Sequence, residues 1–283
     1  MNNISQKEKA EQFRQLHYTG KMLVLPNIWD TLGALLLESL AYPAIATASA
    51  SIAYTNGYND GEKMPFKDLL LLLKRITCSV NIPVTADFES GYADNDFQLQ
   101  ENIKLLIDTG IAGINIEDTD NNTNTLLSIE SQCNKIRLIR KISAETGIPL
   151  FINARTDVCF YEKDFSKPGA KLREIVQRGV AFKEAGADGF YPILLLQEED
   201  IRIVIDQVKL PLNILTTPGI PDLRTLSKLG VARVSLGPSF LKIAIKAMKA
   251  LAVELKDYNG LSSIAENKIS TEYLKILVSK NIG

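Results

Sequence analysis

The feature that most constrains the fold of this chain is a regular alternation of short apolar runs with longer helical patterns. The apolar runs occupy residues 22–26, 44–47, 83–87, 113–117, 150–155, 189–193, 211–215 and 233–237. The segments between them repeat apolar residues at a spacing of about 3.6 and occupy residues 30–40, 66–79, 96–109, 129–146, 171–185, 198–208, 221–229 and 238–257. Eight such alternations, without a linker rich in Pro, Gly or Ser, favour an α/β fold of the (β/α)8 TIM-barrel type over an open doubly wound sheet.

The chain continues beyond the pattern that a barrel requires. Residues 262–283 contain one more amphipathic helical pattern. We therefore expect a single barrel domain over residues 1–283, with a C-terminal helical extension at about 258–283. The extension can pack on its own subunit or on a neighbouring one, and the sequence leaves both open.

Charge and composition exclude several classes of function. The 32 Lys and Arg residues almost balance the 33 Asp and Glu residues, and there is no dense basic run, so we expect neither a nucleic-acid partner nor membrane binding. The longest apolar run is far shorter than the about 20 residues of a membrane-spanning helix, and the polar N-terminal segment does not resemble a signal peptide. The three cysteines lack metal-type spacing, and we expect a cytoplasmic protein.

Carboxylates are the side chains best placed to carry chemistry, because the sequence contains 1 histidine. In a TIM barrel, functional groups gather at the C-terminal ends of the strands. The third, fourth and fifth apolar runs lead into Asp87 and Glu89, Glu117, and Arg155, respectively. Several acids beside one arginine repel one another unless a cation neutralises them, and oxygen ligands suit Mg²⁺, with Mn²⁺ as the alternative.

These side chains suggest separate roles. Mg²⁺ usually takes one or two protein carboxylates and keeps several waters, so we predict Asp87 as the direct ligand. Glu89 and Glu117 are predicted to act through water. The guanidinium of Arg155 offers a two-pronged donor for a substrate carboxylate.

The loops after the first two apolar runs supply candidate substrate-binding residues. Thr47 and Ser49 offer hydroxyl groups, and the small residues around them, including Ala48, offer backbone amides that could hold an anion. Trp29 follows the first run and is either a lid over the pocket mouth or an ordinary packing residue.

Several motifs, in order along the chain, carry a resemblance to a known superfamily. The third run leads into ADFESGY at residues 86–92, and the fourth into NIEDT at residues 115–119. Further matching segments, which extend the match over most of residues 22–240, are LPNIWD, AIATASASIAYTNGYNDGE, FINARTD, EAGADGFYP, PLNIL and LGVARVSLG. The sequence resembles the isocitrate lyase/phosphoenolpyruvate mutase superfamily, in its carboxyvinyl-carboxyphosphonate phosphorylmutase-like branch.

The resemblance implies an α/β-barrel enzyme that uses Mg²⁺ to act on a 2-oxo or enolpyruvate-type acid. It also implies a homo-oligomer, a tetramer or a dimer, with exchanged C-terminal helices. By motif match, Asp87, Glu89 and Glu117 form the metal site and Arg155 binds substrate. The loop at residues 47–49 is implied to hold a carboxylate or phosphoryl group, although Ala48 replaces a serine that is frequent in the superfamily.

Two further loops bear on the reaction. Asp60 matches the acid on the mobile loop after the second strand and is assigned a catalytic role. On the gate loop after the fourth strand, Asn124 and Thr125 would exclude or place water, but Asn122 stands where the mutase branch carries a lysine. The lyase motif K-[KR]-C-G-H is missing, and Cys133 lies too far along the chain, in a helical stretch.

The leading functional hypothesis is therefore a Mg²⁺-dependent lyase or C–C hydrolase that acts on a small 2-oxo or 2-hydroxy carboxylic acid through an enolate-like intermediate. The alternative within the superfamily is a phosphoenolpyruvate/phosphonopyruvate mutase or a phosphonopyruvate hydrolase. Two hypotheses of other kinds stay open. One is a barrel that binds a carboxylate without turning it over, and the other is a phosphate site in the loops at residues 215–223 and 235–240.

Overall fold

Strands and helices alternate along the chain, of which the computed structural model describes residues 4–165 and 167–279. The strands, in chain order, are β1 Leu23–Leu25, β2 Asn27–Ile28, β3 Ile45–Thr47, β4 Val84–Asp87, β5 Gly113–Glu117, β6 Thr119–Asp120, β7 Thr125–Leu126, β8 Phe151–Thr156, β9 Gly189–Pro192, β10 Asn213–Leu215 and β11 Arg233–Ser235. The helices, in chain order, are α1 Gln6–Leu16, α2 Thr31–Ser39, α3 Ser49–Thr55, α4 Phe66–Ser79, α5 Asp96–Asp108, α6 Ile129–Glu145, α7 Ala170–Glu184, α8 Glu198–Val208, α9 Leu223–Leu229, α10 Ser239–Lys256, α11 Leu261–Ala265 and α12 Thr271–Ser279. A 3₁₀ segment, Val158–Phe165, follows β8.

Parallel pairing closes the main strands into a ring. β2 pairs with β3, and the ladder continues through β4, β5 and β8 to β9. An isolated parallel bridge between Phe190 and Leu212 leads from β9 towards β10, which pairs with β11, and β11 pairs with β1. β1 and β2 form one barrel position interrupted at Pro26, which has no N–H to donate. The predicted TIM-type barrel is confirmed.

The predicted elements coincide closely with those in the structure. Each apolar run contains one barrel position, and each helical pattern matches a helix with ends that differ by at most 2 residues. The helices α1 and α3 and the hairpin of β6 and β7 were not predicted, and the extension, in which one further helix was expected, forms two, α11 and α12. α3 starts directly after β3 in a Ser- and Ala-rich stretch, and its N-cap, Ala48, provides no side-chain hydrogen bond, so this sequence lacks an ordinary helix start signal.

The N-terminal helix closes the floor of the barrel, the end at which the strands begin. Phe13 of α1 is fully buried and packs edge-on against Phe151. Gly113 makes this approach possible, because a Cβ there would lie 2.9 Å from the Phe13 ring and 3.0 Å from the Phe151 carbonyl oxygen. His17 stacks on Phe151 with ring centroids 4.0 Å apart and is buried as well. The candidate functional side chains lie at the opposite end of the barrel, where the strands end.

The C-terminal extension packs on the outside of the barrel. α12 lies against α2, and Leu277 of α12 is buried. Residues 280–283 of the predicted extension lie outside the described part of the chain. The helices α10, α11 and α12 still expose large apolar side chains, among them Met248 and Leu261, which are 66% and 73% exposed. Among the described residues, no helix combines the length and apolarity needed to cross a bilayer.

Candidate active site

Six of the eleven predicted site residues line one cavity at the C-terminal rim of the barrel. The cavity has a volume of about 450 Å³. Predicted residues that line it are Ser49, Asp60, Glu89, Glu117, Asn124 and Arg155. They come from the ends of β3, β4, β5 and β8 or from the segments that follow these strands, which meet here because the parallel strands of a closed barrel end at the same rim.

Asp87 ends β4 beside this cavity and is held by its neighbours. One carboxylate oxygen accepts a hydrogen bond from the Ser49 hydroxyl at 2.9 Å and from the Ser49 N–H at 3.3 Å. The other oxygen accepts from the Asn115 side chain at 3.4 Å, and the Asp87 N–H donates to the Thr47 hydroxyl at 3.1 Å. Ser49 and Thr47 thus orient the predicted metal ligand.

The predicted anion-binding loop already uses part of its hydrogen-bonding capacity within the protein. Thr47 is fully buried, and the Ala48 N–H donates to the Ile28 carbonyl at 3.3 Å. The Ser49 N–H faces Asp87. Thr47, Ala48 and Ser49 as substrate-binding residues stay a prediction, and the contacts give the two hydroxyl residues a clear second role in holding Asp87.

Glu89 sits in a left-handed backbone conformation, with φ of 50°, and both of its carboxylate oxygens are engaged. One accepts from the Glu62 N–H at 2.7 Å and the other from the Tyr92 hydroxyl at 2.6 Å. Burial raises the pKa of Glu89 to about 7, the Tyr92 hydrogen bond opposes the shift, and nearby Asp60 and Asp87 add to it.

Glu117 and Arg155 form the ion pair of the cavity. The guanidinium of Arg155 lies 2.8 Å from Glu117 and 2.6 Å from Asp157. Burial raises the pKa of Glu117, while Arg155 acts against the shift. The pKa of Asp60 is also raised, because the Asp60 carboxyl group is partly buried and lies near Asp87. Negative charge is thus crowded beyond what Arg155 balances.

The donor set fits a hard divalent cation held mainly through water. Within residues 4–165 and 167–279, no three His, Cys, Asp or Glu side chains are close enough together to hold a metal ion as a cluster. The acids Asp60, Glu89 and Glu117 nevertheless face the space beside Asp87 and repel one another. This arrangement matches Mg²⁺, which accepts one or two direct carboxylate ligands and retains several waters.

The gate loop is a short hairpin formed by β6 and β7, and it presents only part of its sequence to the cavity. Asn124, with φ of 52°, lines the cavity and donates its N–H to the Asp120 carbonyl at 2.7 Å. Thr125 is exposed, and its hydroxyl bonds the Thr123 hydroxyl at 2.7 Å. Asn122 donates to the Asp94 carboxylate at 3.0 Å. The structure brings Asn124 to the site and leaves Thr125 outside the lining.

Comparison with known proteins assigns the chain to a family. The family model described as phosphoenolpyruvate phosphomutase matches residues 13–256. The chain belongs to the isocitrate lyase/phosphoenolpyruvate mutase superfamily. The protein is therefore an enzyme of this superfamily, and the resemblance read from its motifs is confirmed.

Individual members of the superfamily align over nearly the whole chain. A 2-methylisocitrate lyase from Halalkalibacterium halodurans is 26% identical over 264 residues, which cover 89% of this chain and 84% of the lyase. The crystal structure of a candidate phosphonomutase from Burkholderia cenocepacia J2315 has a TM-score of 0.80 and 35% identity, and covers 87% of this chain and 99% of its own. A phosphonopyruvate hydrolase in complex with oxalate and Mg²⁺ has a TM-score of 0.83 and 20% identity, covering 96% and 95% of the two chains, and supports the fold.

One of the predicted substrate-binding residues, Trp29, does not line the candidate active-site cavity. Trp29 lines an apolar groove of about 280 Å³, together with Phe240 and with Tyr273 and Leu277 of α12. Trp29 directly precedes Asp30, the N-cap of α2, and is partly buried against the hydrophobic core. Of the two roles that the sequence left open for Trp29, packing is the one that this position fits.

The structure also gives roles to residues to which the sequence analysis assigned none. Phe160 and Tyr161 of the 3₁₀ segment form an aromatic wall of the cavity, and Asp157 anchors Arg155. Glu62 and Tyr92 hold Glu89. The run RTDVCFY contained the signal for the aromatic wall, because it places two aromatic residues just beyond a strand end, but nothing local indicates which way they face.

Proposed function

We propose that the protein is a Mg²⁺-dependent lyase or C–C hydrolase that acts on a small 2-oxo or 2-hydroxy carboxylic acid. The observation that carries the proposal is the rim cavity that Asp60, Glu89 and Glu117 line together with Arg155, with Asp87 fixed beside it. Carboxylates that crowd around one arginine suit a cation and an anionic substrate together. The Mg²⁺ and oxalate held by the related phosphonopyruvate hydrolase support the same pairing.

The metal would be held by Asp87 directly and by Glu89 and Glu117 through water. When bound, Mg²⁺ supplies positive charge that polarises the oxo or hydroxyl oxygen of the acid and stabilises the enolate-like charge that develops as the bond breaks. The residues of the chain then have to bind the acid, orient it and control water.

Arg155 is suited to bind a carboxylate of the substrate. Its guanidinium is fixed by Asp157 through hydrogen bonds of 2.6 and 3.2 Å and by Glu117 at 2.8 Å, so little side-chain freedom is left to lose on binding. Asp60 and Asn124, on separate loops at the cavity, are placed to move a proton and to control the access of water. Because Arg155 is held in one position, we expect it to align the breaking bond of the bound acid.

The charges of the cavity favour a carboxylic acid over a phosphonate. Among the described residues that line the cavity, Arg155 is the one Lys, Arg or His. Asn122, at the position of the mutase lysine, bonds Asp94. Phosphonopyruvate chemistry is the second candidate, because the chain retains the gate-loop TNT and resembles a candidate phosphonomutase at 35% identity.

The test is turnover of oxaloacetate, 2-methylisocitrate and phosphonopyruvate by the full chain, with Mg²⁺, with Mn²⁺ and with EDTA. We expect metal-dependent C–C cleavage of one of the first two acids, and its loss in Asp87→Ala. A phosphorus NMR time course that shows conversion of phosphonopyruvate alone would favour the second candidate. Metal-dependent calorimetric binding of an acid that stays intact would instead indicate a carboxylate-binding barrel.

We also propose that the protein forms a homo-oligomer, a tetramer or a dimer, by exchange of its C-terminal helices. Support comes from the apolar side chains that α10 to α12 expose and from the apolar groove between α2 and α12. Tyr258, with φ of 57°, and Gly260, with φ of 93°, form a turn at which the extension could change direction. Light scattering on the wild type and on Met248→Glu tests this proposal, and a monomeric wild type would contradict it.

A further inference from the structure

The loop that carries Asp60 is fastened to the loop that carries Glu89 by one carboxylate that the sequence motifs do not single out. A single oxygen of Glu62 accepts hydrogen bonds from the Ser90 N–H at 3.0 Å, the Ser90 hydroxyl at 2.8 Å and the Tyr92 N–H at 2.8 Å. Three donors on one carboxylate oxygen satisfy backbone groups that would otherwise lack partners at a strand end.

The fastening is reciprocal. The Glu62 N–H donates to one oxygen of Glu89 at 2.7 Å, and the Tyr92 hydroxyl donates to the other at 2.6 Å. The contacts form a closed circuit, in which Glu62 holds the backbone of Tyr92, Tyr92 holds Glu89, and Glu89 holds the backbone of Glu62. We call this set of contacts the Glu62 clasp.

The backbone needs such a clasp. Glu62, Glu89 and Tyr92 have φ values of 60°, 50° and 53°, in the left-handed region that residues with a Cβ rarely adopt. Backbone of this kind persists when surrounding contacts hold it in place. Asp60 lies two residues before Glu62, so the clasp also fixes where the loop presents Asp60.

Ser90 extends the clasp to the gate loop. Its hydroxyl accepts a hydrogen bond from the Asn121 side chain at 3.2 Å, and its carbonyl accepts from Lys135 of α6 at 2.7 Å. Asn121 precedes Asn124 on the same hairpin, and both residues line the cavity. The loops after β3, β4 and β5 therefore meet at one serine.

We propose that Glu62 is a positioning residue, which holds Asp60 and Glu89 in register over the cavity and, through Ser90, couples them to the gate loop. The structural part of this inference stands on the contacts alone, whereas its consequence for catalysis rests on the proposed function. Removal of the Glu62 carboxylate would free the loops after β3 and β4 together and loosen the gate loop with them.

The chain offers a matched control at the opposite end of the barrel. One oxygen of Glu38 accepts hydrogen bonds from the Asn81 N–H at 2.6 Å and the Ile82 N–H at 3.3 Å, and so ties α2 to the segment before β4. Like Glu62, Glu38 is half-buried and satisfies backbone amides of a distant loop. Glu38→Ala therefore removes a comparable tie without touching the candidate site.

The experiment compares wild type, Glu62→Ala, Glu62→Gln and Glu38→Ala in the full chain by hydrogen–deuterium exchange. We expect Glu62→Ala to speed exchange in residues 56–64, 88–94 and 119–126, and Glu38→Ala to leave these segments unchanged. Glu62→Gln keeps an oxygen acceptor for the three donors and should behave like wild type. Ser90→Ala, a milder change, should speed exchange mainly in the gate loop, and it serves where Glu62→Ala does not fold.

The functional readouts are calorimetric binding of oxalate with Mg²⁺ and steady-state kinetics on the acid that is turned over. We expect Glu62→Ala to lower kcat by about 10- to 100-fold through misplacement of the reacting groups, with recovery in Glu62→Gln. Unchanged exchange in residues 88–94 and 119–126 overturns the proposal, and so does an equal loss of kcat in Glu38→Ala. If wild type neither binds nor converts any acid, the proposed function fails, while the exchange data still decide whether the clasp exists.

Discussion

The two ends of the barrel differ in how the charges of their acidic side chains are compensated. At the floor, Asp188 forms ion pairs with both Arg14 and Arg140 and accepts the Ile152 N–H at 2.8 Å, so its charge is fully compensated. At the rim, Glu117 shares the cation of Arg155 with Asp157. Asp188 at the floor thus stabilises the fold, whereas Glu117 at the rim keeps charge available for a ligand.

The same substitution in the two regions should give the sharpest contrast. Asp87→Asn removes a rim charge with little change of shape, and we expect metal-dependent turnover to fall by about 1000-fold or more. Its free energy of unfolding should change by less than about 1 kcal/mol, because the loss of repulsion from the other acids offsets weaker hydrogen bonds. Kinetics and urea unfolding measure the two effects, and a variant with normal activity would remove Asp87 from the metal site.

Asp188→Asn makes the matching change at the floor. We expect the free energy of unfolding to fall by about 2 to 3 kcal/mol, since Arg14 and Arg140 lose their partner in a partly buried site. The kcat should stay near that of wild type. Urea unfolding combined with kinetics checks this, and a loss of kcat at unchanged stability would show that the two ends are not separate in role.

The floor should also govern part of the acid sensitivity. Burial, with Arg233 nearby, lowers the pKa of His17 to about 3, so below about pH 6.5 the unfolded chain binds a proton that the folded chain does not bind. The contribution of the neutral, buried His17 to the free energy of unfolding is therefore fully present above pH 6.5 and is lost as the pH falls towards 3. His17→Phe should reduce the loss between pH 7.5 and 4 by about 3 kcal/mol.

Urea unfolding across this pH range measures the effect, and an equal pH dependence in wild type and His17→Phe would contradict it. Because the sequence contains 1 histidine, the imidazole resonance can also be followed directly by NMR. We expect this resonance not to titrate above pH 4 in the folded protein.

The smallest contrast lies within the gate loop. Asn124→Gly removes the side chain that lines the cavity and keeps a residue suited to φ of 52°, and we expect kcat/KM to fall about tenfold. Thr125→Ala changes an exposed neighbour outside the lining and should stay within about twofold. Equal losses in the two variants would show that the hairpin acts through its fold rather than through Asn124.

Much of the site could be predicted because it depends on strand ends. Asp87, Glu117 and Arg155 each belong to a run whose apolar pattern locates the strand, and the closed parallel barrel brings those ends together. Their convergence follows once the barrel is recognised. The family motifs added Asp60 and Asn124, which do line the cavity.

The positions of the remaining residues could not be predicted in this way, because contacts with residues far away in the sequence determine where their side chains lie. Trp29 lines a groove together with residues of α12, which follow it by some 240 residues, and Glu62 bonds Ser90 of another loop, 28 residues on. Thr125 is adjacent to Asn124, yet the turn of the hairpin leaves it outside the lining of the cavity. A local sequence pattern does not predict such long-range contacts.

The sequence by itself determined the order of the barrel strands and of the main helices between them, the barrel and the acids at its rim, since these depend on apolar periodicity and on residues at strand ends. Only the tertiary structure decided how the rim loops are tied together and which of their side chains face the cavity. The physical reason is that a loop acquires its conformation from hydrogen bonds to other loops, and these exist only after the barrel has brought the loops together.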